Sequence, residues 1–264
     1  MQRLRAPCPL SPPIRRSPDV TDEDYVAWQC DQDAYAFSGQ KCSAQSIVFM
    51  HDNWVEAGFL DRMAEVASHR KFGDGTIGPI LSWNNSAIKE HVANLLAIPG
   101  ARLLFGGNPV TENGADKVPD VYGVFEPTAV FVPIEEAVKD EHFGTVTQEL
   151  FGPVQVVTSY ADEQLESHVL ASCERMNDHL SAAIVSNDPA FNARCTGSTI
   201  NGTTYVGIRA RTTGAPVQHW FGPAGDPRAG GIHTIEAIQQ TWSCHRELII
   251  DGVVPEGWVR PKPT

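Results

Sequence analysis

Apolar residues along the chain follow two different periods, and these periods predict where helices and strands lie. Helical spacing of apolar residues over 24–38, followed by a glycine, predicts a helix that ends at Gly39. The same spacing predicts further helices, the first of them capped by Asp52, over 52–70, 86–98, 162–176 and 188–195. Short apolar runs predict buried strands over 46–51, 102–105, 128–132, 154–160 and 180–186.

The alternation of helices with buried strands predicts an α/β fold with a mostly parallel sheet flanked by helices. A short strand is predicted at 199–201, and the pattern then changes. Residues 202–231 are rich in glycine and proline and predict an irregular segment that is too long to be an idle connection. A last helix over 234–242 and a strand over 247–251 precede a proline-rich tail.

Composition divides the chain into three predicted parts. Residues 1–18 contain arginine and proline but no acidic residue, and they predict a disordered leader. Their arginines also fit a transit segment, although the prolines oppose the amphipathic helix that such a segment needs. Residues 19–233 are predicted to form the main domain. Residues 234–264 are predicted to complete either that domain or an oligomer surface.

The 264 residues, 42% of them hydrophobic, predict a globular protein with a large core. The net charge of −12 argues against nucleic acid or an anionic membrane as a partner. No apolar run reaches the length of about 18–20 residues that a membrane-spanning helix needs. The six cysteines form no Cys-x-x-Cys pair, which argues against a metal site and favours free thiols in a reducing compartment.

Cys42 lies in a small, polar linker between a predicted helix and a predicted strand. A cysteine kept for packing has apolar neighbours, whereas Gly39 here allows a close backbone approach and Lys41 adds positive charge that favours a thiolate. Chemistry alone leaves a reactive thiol and a structural thiol equally open. Packing or simple exposure is the preferred interpretation for three other cysteines, Cys30, Cys173 and Cys244.

Two further segments combine glycine with reactive or polar groups. Glu149-Leu-Phe151-Gly-Pro places an acid and an aromatic ring just ahead of a predicted strand, although a simple strand-entry turn has the same composition. The glycine-rich stretch that begins at Thr212 is equally compatible with a long surface loop. Gly73-Asp-Gly75-Thr-Ile-Gly78 matches a dinucleotide-binding pattern, but it follows a predicted helix rather than a strand, which argues against that role.

Taken in order, these segments resemble the C-terminal catalytic half of the aldehyde dehydrogenase superfamily over about residues 19–260. Gly39-Gln-Lys-Cys42 is similar to the family's nucleophile motif, and Glu149-Leu-Phe151-Gly-Pro is similar to its cofactor motif. The segment from Asn201 to Phe221 is similar to its substrate loop. Ser38-Gly-Gln-Lys-Cys-Ser-Ala44 most resembles plant-type glutamate semialdehyde (pyrroline-5-carboxylate) dehydrogenases, which implies a mitochondrial location, or otherwise a cytoplasmic one.

The resemblance implies that an aldehyde is oxidised with NAD as cofactor, most closely L-glutamate γ-semialdehyde to glutamate. Cys42 would attack the carbonyl carbon, backbone N–H groups would stabilise the oxyanion, hydride would pass to NAD, and water would hydrolyse the thioester. Glu149 would bind the nicotinamide ribose, and Phe151 would pack near the ring. Other residues of the motifs would bind the substrate, its carboxylate above all, and these are Ser43, Asn201, Thr213, Gly214, Ala215 and Phe221.

The family carries an NAD-binding domain ahead of the nucleophile, whereas only 41 residues precede Cys42. The family's phosphate loop, oxyanion asparagine and general base therefore lie outside the resemblance. We expect a truncated chain that lacks the Rossmann-like domain and is inactive alone, of a protein that is a homo-oligomer in its full-length form. The alternatives are a non-catalytic subunit that assembles with full-length aldehyde dehydrogenase and a weak cysteine-dependent esterase.

Overall fold

The computed structural model describes residues 2–5, 22–177 and 179–213, together with the single positions 235, 239, 248, 257 and 258. Within these residues, seven strands form one sheet in the order β3-β4-β5-β2-β1-β6-β7. The strands are β1 (Gln2–Arg5), β2 (Ile47–His51), β3 (Arg102–Phe105), β4 (Thr128–Phe131), β5 (Val154–Tyr160), β6 (Ser181–Val185) and β7 (Thr203–Val206). All neighbours run parallel except β3 and β4. The predicted α/β class and mostly parallel sheet are confirmed.

Helices connect the strands and pack on both faces of the sheet. They are α1 (Asp22–Tyr35), α2 (Asp52–Glu56), α3 (Phe59–Ser68), α4 (Asn85–Leu96), α5 (Ile134–Ala137), α6 (Asp140–Thr147), α7 (Ala171–Arg175) and α8 (Pro189–Gly197). A 3-10 turn over Ala36–Gly39 follows α1, a second lies at Ala115–Lys117, and a π-helical turn over Leu165–Leu170 precedes α7.

Alternate residues of β2 enter two separate apolar cores. Ile47 and Phe49 belong to the cluster that contains residues of α4, whereas Val48 and Met50 belong to the cluster that contains residues of α1 and α3. All four side chains are buried. The predicted strand is continuously apolar because both of its faces are covered.

The prediction of a disordered leader over 1–18 is wrong for residues 2–5. Gln2–Arg5 forms β1, which pairs in parallel with β2 on one side and with β6 on the other. Without this strand, both neighbours would present unpaired N–H and C=O groups in the middle of the sheet. Main-chain hydrogen bonding to β2 and β6 therefore stabilises β1, and the sequence of residues 2–5 has no apolar pattern that predicts a strand.

The short strand predicted at 199–201 is wrong, and the segment 202–231 is not irregular throughout. The strand lies instead at Thr203–Val206 and pairs in parallel with β6. Gly202 and Thr203 donate their N–H groups to the carbonyls of His179 and Leu180 (2.8 and 3.0 Å), and the residues that follow continue the ladder. Thr and Val favour such an extended conformation.

The helix predicted over 52–70 consists of two helices, because Gly58 adopts a left-handed φ of 76° between them. Asp52 does not cap the first of these. The His51 ring accepts a hydrogen bond from the Asn53 N–H (3.3 Å) as the cap. Asp52 lies in the first turn, where its negative charge suits the helix dipole.

Other predictions differ from the structure in extent or lie outside it. The apolar pattern does not predict α5 and α6, which are only four and eight residues long. The helix predicted over 162–176 begins as a π-helical turn at Leu165. The helix predicted over 234–242 and the strand predicted over 247–251 lie outside the described residues, apart from single positions.

A chain of buried polar side chains joins α1 to the centre of the sheet. Gln45 Nε2 donates to Gln155 Oε1 (2.6 Å), and Gln155 Nε2 donates to the Tyr35 hydroxyl (2.6 Å). The Tyr35 hydroxyl donates in turn to the Thr128 carbonyl (3.0 Å). Burial raises the pKa of Tyr35, so the phenol stays neutral and keeps its proton for that bond. This series of hydrogen bonds fixes the segment just after Cys42 to β4 and β5.

Gly39 is the point where the chain leaves α1 and meets another segment at very short range. Its φ is 71°, and a Cβ atom placed there would lie 2.2 Å from the Gly152 carbonyl oxygen. Only glycine allows this approach. The expected close backbone contact at Gly39 is confirmed, and it brings the turn around Cys42 against residues 149–153.

We expect Gly39→Ala to lower the free energy of unfolding by roughly 3 kcal/mol or more, because the methyl group meets backbone atoms and the φ is unfavourable. Gly58→Ala is the matched control, since its φ is 76° but nothing lies within 4 Å of the added Cβ. That change should cost about 1–2 kcal/mol. Urea unfolding followed by circular dichroism compares the two variants, and equal losses would contradict the packing role of Gly39.

Candidate active site

The segments that precede four parallel strands meet at one edge of the sheet. Because parallel strands begin on the same side, the residues ahead of β2, β5, β6 and β7 are close in space. A cavity of about 560 Å³ lies at this edge. Each of the four segments contributes to its lining, which includes Cys42, Glu149, Phe151, Ser181 and Asn201.

Cys42 is exposed at this cavity, on a turn whose position is fixed by its neighbours. The Gln40 side chain connects the turn to the segment 79–81. Its Nε2 donates to the Pro79 carbonyl (2.9 Å), and its Oε1 accepts the Leu81 N–H (2.8 Å). The thiol is therefore held at the cavity by a structured turn rather than by a free loop.

Lys41 follows Gln40 and precedes Cys42, and its ammonium group binds to the main chain of α1. Its Nζ donates to the Gln32 carbonyl (2.7 Å). Burial lowers the pKa of Lys41, and the nearby Asp33 carboxylate opposes that shift. A stabilising effect of Lys41 on a Cys42 thiolate stays a prediction.

The other cysteines that the structure describes are enclosed. Cys30, Cys173 and Cys195 are buried. Burial raises the pKa of Cys173, and it raises the pKa of Cys195 to about 12. Cys173 and Cys195 therefore stay protonated near neutral pH, and burial keeps all three thiols from solvent. Cys8 and Cys244 lie outside the described residues.

Glu149 and Phe151 are the residues that could hold one end of a dinucleotide, as the sequence predicts. Both line the cavity that Cys42 lines. The Glu149 carboxylate is exposed and can accept hydrogen bonds from the two hydroxyl groups of a ribose. Phe151 places an aromatic side chain in the lining of the same cavity. The glycine pattern over 73–78 follows α3 and opens no helix, so within the described part of the chain it makes no phosphate-binding turn.

The predicted substrate residues divide into three groups. Asn201 lines the cavity, and its buried Oδ1 has no hydrogen-bond partner among the described residues. Ser43 is buried and does not line the cavity. Thr213 donates its N–H and its hydroxyl to Asp33 (3.3 and 2.7 Å), so these donors are not available to a substrate. The remaining predicted residues lie outside the described part of the chain, and these are Gly214, Ala215 and Phe221.

The structure adds three residues that the sequence analysis does not predict. Arg175, His179 and Ser181 all line the cavity. The Arg175 guanidinium lies 3.9 Å from the centre of the Phe143 ring, where the ring face attracts its charge. No motif marks these positions, because only the order of the strands in the sheet brings them to Cys42.

Two further classes of site find no support among the residues that the structure describes. No helix there is long and apolar enough to cross a membrane. No three His, Cys, Asp or Glu side chains in that part of the chain are grouped so that they could hold a metal ion.

A family model for the "Aldehyde dehydrogenase family" matches residues 18–241. The chain belongs to the aldehyde dehydrogenase family. Among its relatives, "Delta-1-pyrroline-5-carboxylate dehydrogenase 12A1, mitochondrial" from Arabidopsis thaliana is 56% identical over 249 residues, which are 94% of this chain and 44% of that protein. A "probable aldehyde dehydrogenase" from Linum usitatissimum is 56% identical over 248 residues, with the same shares of each chain. This aldehyde dehydrogenase chain thus spans about 44% of the length of these relatives.

Solved structures agree with this family. A bifunctional proline utilization A (PutA) protein is 26% identical, with a TM-score of 0.65, and the match covers 81% of this chain and 21% of that chain. A salicylaldehyde dehydrogenase from Pseudomonas putida G7 is 16% identical, with a TM-score of 0.66, over 90% of this chain and 43% of that chain. The second likeness concerns the fold alone. The predicted membership of the aldehyde dehydrogenases is confirmed.

We expect iodoacetamide to label Cys42 faster than any other described cysteine at neutral pH, because Cys42 alone among them is exposed. Cys195 should stay unlabelled up to about pH 9, since a thiol with a pKa raised to about 12 holds its proton there. Peptide mapping by mass spectrometry after timed labelling measures each site, and a Cys42→Ser variant identifies the fast peptide. Faster labelling of Cys173 or Cys195 in the native protein would contradict the assignment of Cys42.

Proposed function

We propose that this chain carries the nucleophile of an NAD-dependent dehydrogenase that oxidises L-glutamate γ-semialdehyde to L-glutamate. The observation that carries the proposal is an exposed Cys42 thiol that shares one cavity with Glu149, Phe151 and Asn201. The 56% identity with a protein named delta-1-pyrroline-5-carboxylate dehydrogenase supports this substrate. Delta-1-pyrroline-5-carboxylate is a cyclic imine, and its hydrolysis opens the ring to give L-glutamate γ-semialdehyde.

The Cys42 thiolate adds to the aldehyde carbonyl carbon, so a C–S bond forms and the carbonyl oxygen becomes an alkoxide. Main-chain N–H groups of the turn, that of Cys42 among them, are the donors for this oxyanion. Gly39 and Gln40 hold the turn in place, so the donors need no rearrangement during the reaction. When bound, NAD supplies the acceptor for the hydride that leaves the carbonyl carbon. Water then attacks the thioester, releases the thiol and provides the second oxygen of the carboxylate.

The other residues of the cavity orient the two ligands in this proposal. Glu149 accepts hydrogen bonds from the nicotinamide ribose, and Phe151 packs near the ring. Asn201 offers a buried amide oxygen without a partner among the described residues, which suits a donor such as the ammonium group of the semialdehyde.

A cysteine-dependent esterase is the second candidate. Acyl transfer through Cys42 needs an exposed thiol and oxyanion donors but no hydride acceptor, and the exposure of the Cys42 thiol supports this candidate. A subunit that only assembles with full-length aldehyde dehydrogenase would leave this thiol unused. Ester hydrolysis therefore provides an assay of the thiol that does not depend on NAD.

The same relative supports a proposal for the cellular location of the reaction. Its printed name includes "mitochondrial", and we propose the mitochondrion for this protein also. A small aldehyde is the proposed partner in the cavity. We further propose that the full-length protein is a homo-oligomer.

In the full-length protein, we expect Cys42→Ser to reduce NADH formation from the semialdehyde by about a thousandfold or more, because a serine hydroxyl is a far weaker nucleophile than a thiolate. Absorbance at the NADH band measures the rate, and hydrolysis of p-nitrophenyl acetate measures the thiol alone. Cys30→Ala is the control, since Cys30 is buried and does not line the cavity. Equal rates for Cys42→Ser and the unaltered protein would reject the proposal, whereas ester hydrolysis without NADH formation would favour the esterase.

In the full-length protein, Glu149→Gln should raise the KM for NAD by about fivefold to tenfold, because a neutral amide oxygen is a weaker acceptor for ribose hydroxyls than a carboxylate. Ester hydrolysis needs no cofactor and should fall much less than NADH formation. Glu163→Gln removes another exposed acid, one that does not line the cavity, and serves as the control. A KM for NAD that Glu149→Gln leaves unaltered would exclude Glu149 from cofactor binding.

A further inference from the structure

Three polar side chains of the candidate active-site cavity lie together where β6 and β7 begin. In the register of these parallel strands, Ser181 is opposite Thr203. The Gly202 N–H donates to the His179 carbonyl (2.8 Å), so the pairing continues ahead of both strands and places His179 opposite Asn201. Side chains two residues apart along a strand point to the same face of the sheet. His179, Ser181 and Asn201 are therefore neighbours, and all three line the cavity.

The His179 ring presents a hydrogen-bond acceptor. Its Nε2 lies 2.9 Å from the Cys173 carbonyl oxygen. A carbonyl oxygen can only accept, so Nε2 carries the proton of the neutral ring and Nδ1 has a free lone pair. No hydrogen bond joins Nδ1 to another residue that the structure describes. The main chain of α7 thus selects the tautomer in which the second ring nitrogen can accept a hydrogen bond from a ligand.

Ser181 and Asn201 add two oxygen acceptors. The Ser181 hydroxyl donates its proton to the Thr212 carbonyl (3.2 Å), so its oxygen has only lone pairs left for a ligand. The Asn201 Oδ1 is buried and has no hydrogen-bond partner among the described residues. A buried acceptor without a donor is costly, so a ligand that donates to it is favoured. We call His179, Ser181 and Asn201 the acceptor wall.

The charges of the cavity lining also suit a cationic donor. Arg175 is positively charged and lines the cavity, but its charge is paired. Its guanidinium lies 2.8 Å from the Asp140 carboxylate and donates to the Val138 carbonyl (2.9 Å). The other charged group of the described lining is the carboxylate of Glu149. A cationic group at the acceptor wall therefore meets lone pairs and no unpaired positive charge among these lining residues.

We propose that the acceptor wall binds the α-ammonium group of an amino-acid semialdehyde and so selects such substrates over aldehydes without an amino group. The proposal rests on the proposed function and deepens it by adding His179 and Ser181 to Asn201. An ammonium group has three donors and no acceptor, and the wall offers three acceptors. A ligand without these donors would leave the wall unpaired, which is a strong basis for discrimination.

Protection of Cys42 from iodoacetamide in the full-length protein tests the proposal without turnover. The product L-glutamate has the ammonium group, whereas glutarate has the same two carboxylates and lacks it. We expect glutarate to need a concentration about tenfold higher than L-glutamate for half-protection, which corresponds to the loss of charge-assisted hydrogen bonds. D-Glutamate controls for net charge, since it has the same groups in the opposite configuration, and it should protect as weakly as glutarate.

Variants of the wall should change the ratio of the half-protecting concentrations of glutarate and L-glutamate. Asn201→Leu removes an acceptor with little change in size and should lower the ratio about fivefold, whereas Asn201→Asp keeps an oxygen there and should preserve or raise it. His179→Gln keeps a donor for the Cys173 carbonyl but has no acceptor in the place of Nδ1, so it should also lower the ratio. Met176→Leu changes the cavity lining without removing an acceptor and is the control.

The outcomes separate this inference from the proposed function. Equal protection by L-glutamate and glutarate, or by L- and D-glutamate, would overturn the acceptor wall and leave the function standing. A ratio that Asn201→Leu and His179→Gln both leave unaltered would do the same. If Asn201→Leu does not fold, His179→Gln and Asn201→Asp decide. Absence of protection by L-glutamate in the unaltered protein would reject the proposed substrate, and the acceptor wall with it.

Discussion

The parallel alignment of β2, β5, β6 and β7 is the constraint on which the candidate site depends. Parallel strands begin at the same edge of the sheet, so the four segments that precede these strands lie close together although they are far apart in the sequence. The turn of Cys42 leads into β2, Glu149 and Phe151 lead into β5, Ser181 begins β6 and Asn201 leads into β7. None of these residues needs contact with another to be brought there, because main-chain pairing within the sheet places all of them.

Much of the sheet could be predicted from apolar patterns, and the exceptions share a cause. β2 and β5 are buried on both faces, so their runs of Val, Ile and Phe announce them. β1 and β7 are strands because their main-chain groups pair with neighbouring strands. The sequence of one segment does not show which strand it will pair with. Gly58 divides a helix for a similar reason, since the apolar stripe continues through it while the backbone does not.

The site shows the same division between local and distant information. Cys42, Glu149 and Asn201 lie in motifs whose resemblance to a family could be seen in the sequence, and they line one cavity. The sequence could indicate a structural role for Asp33 only because this acid lies on a helix face whose other residues are mostly apolar. Its donors at Thr212 and Thr213 are some 180 residues away, which is beyond any spacing argument. For Thr213 the prediction was wrong in the opposite way. Its hydroxyl suggested a substrate contact, whereas in the structure the hydroxyl donates to the buried Asp33 carboxylate.

The contact between Gly39 and Gly152 has a consequence for how specificity could diverge in such a protein. Two backbones that touch without side chains set the gap between the thiol turn and the Glu149 segment by atomic radii alone. That gap is thereby independent of whichever residues line the walls. The walls can be exchanged to suit longer, shorter or uncharged ligands while this gap is kept, so the pair of glycines separates variation of the walls from the spacing of Cys42 and Glu149.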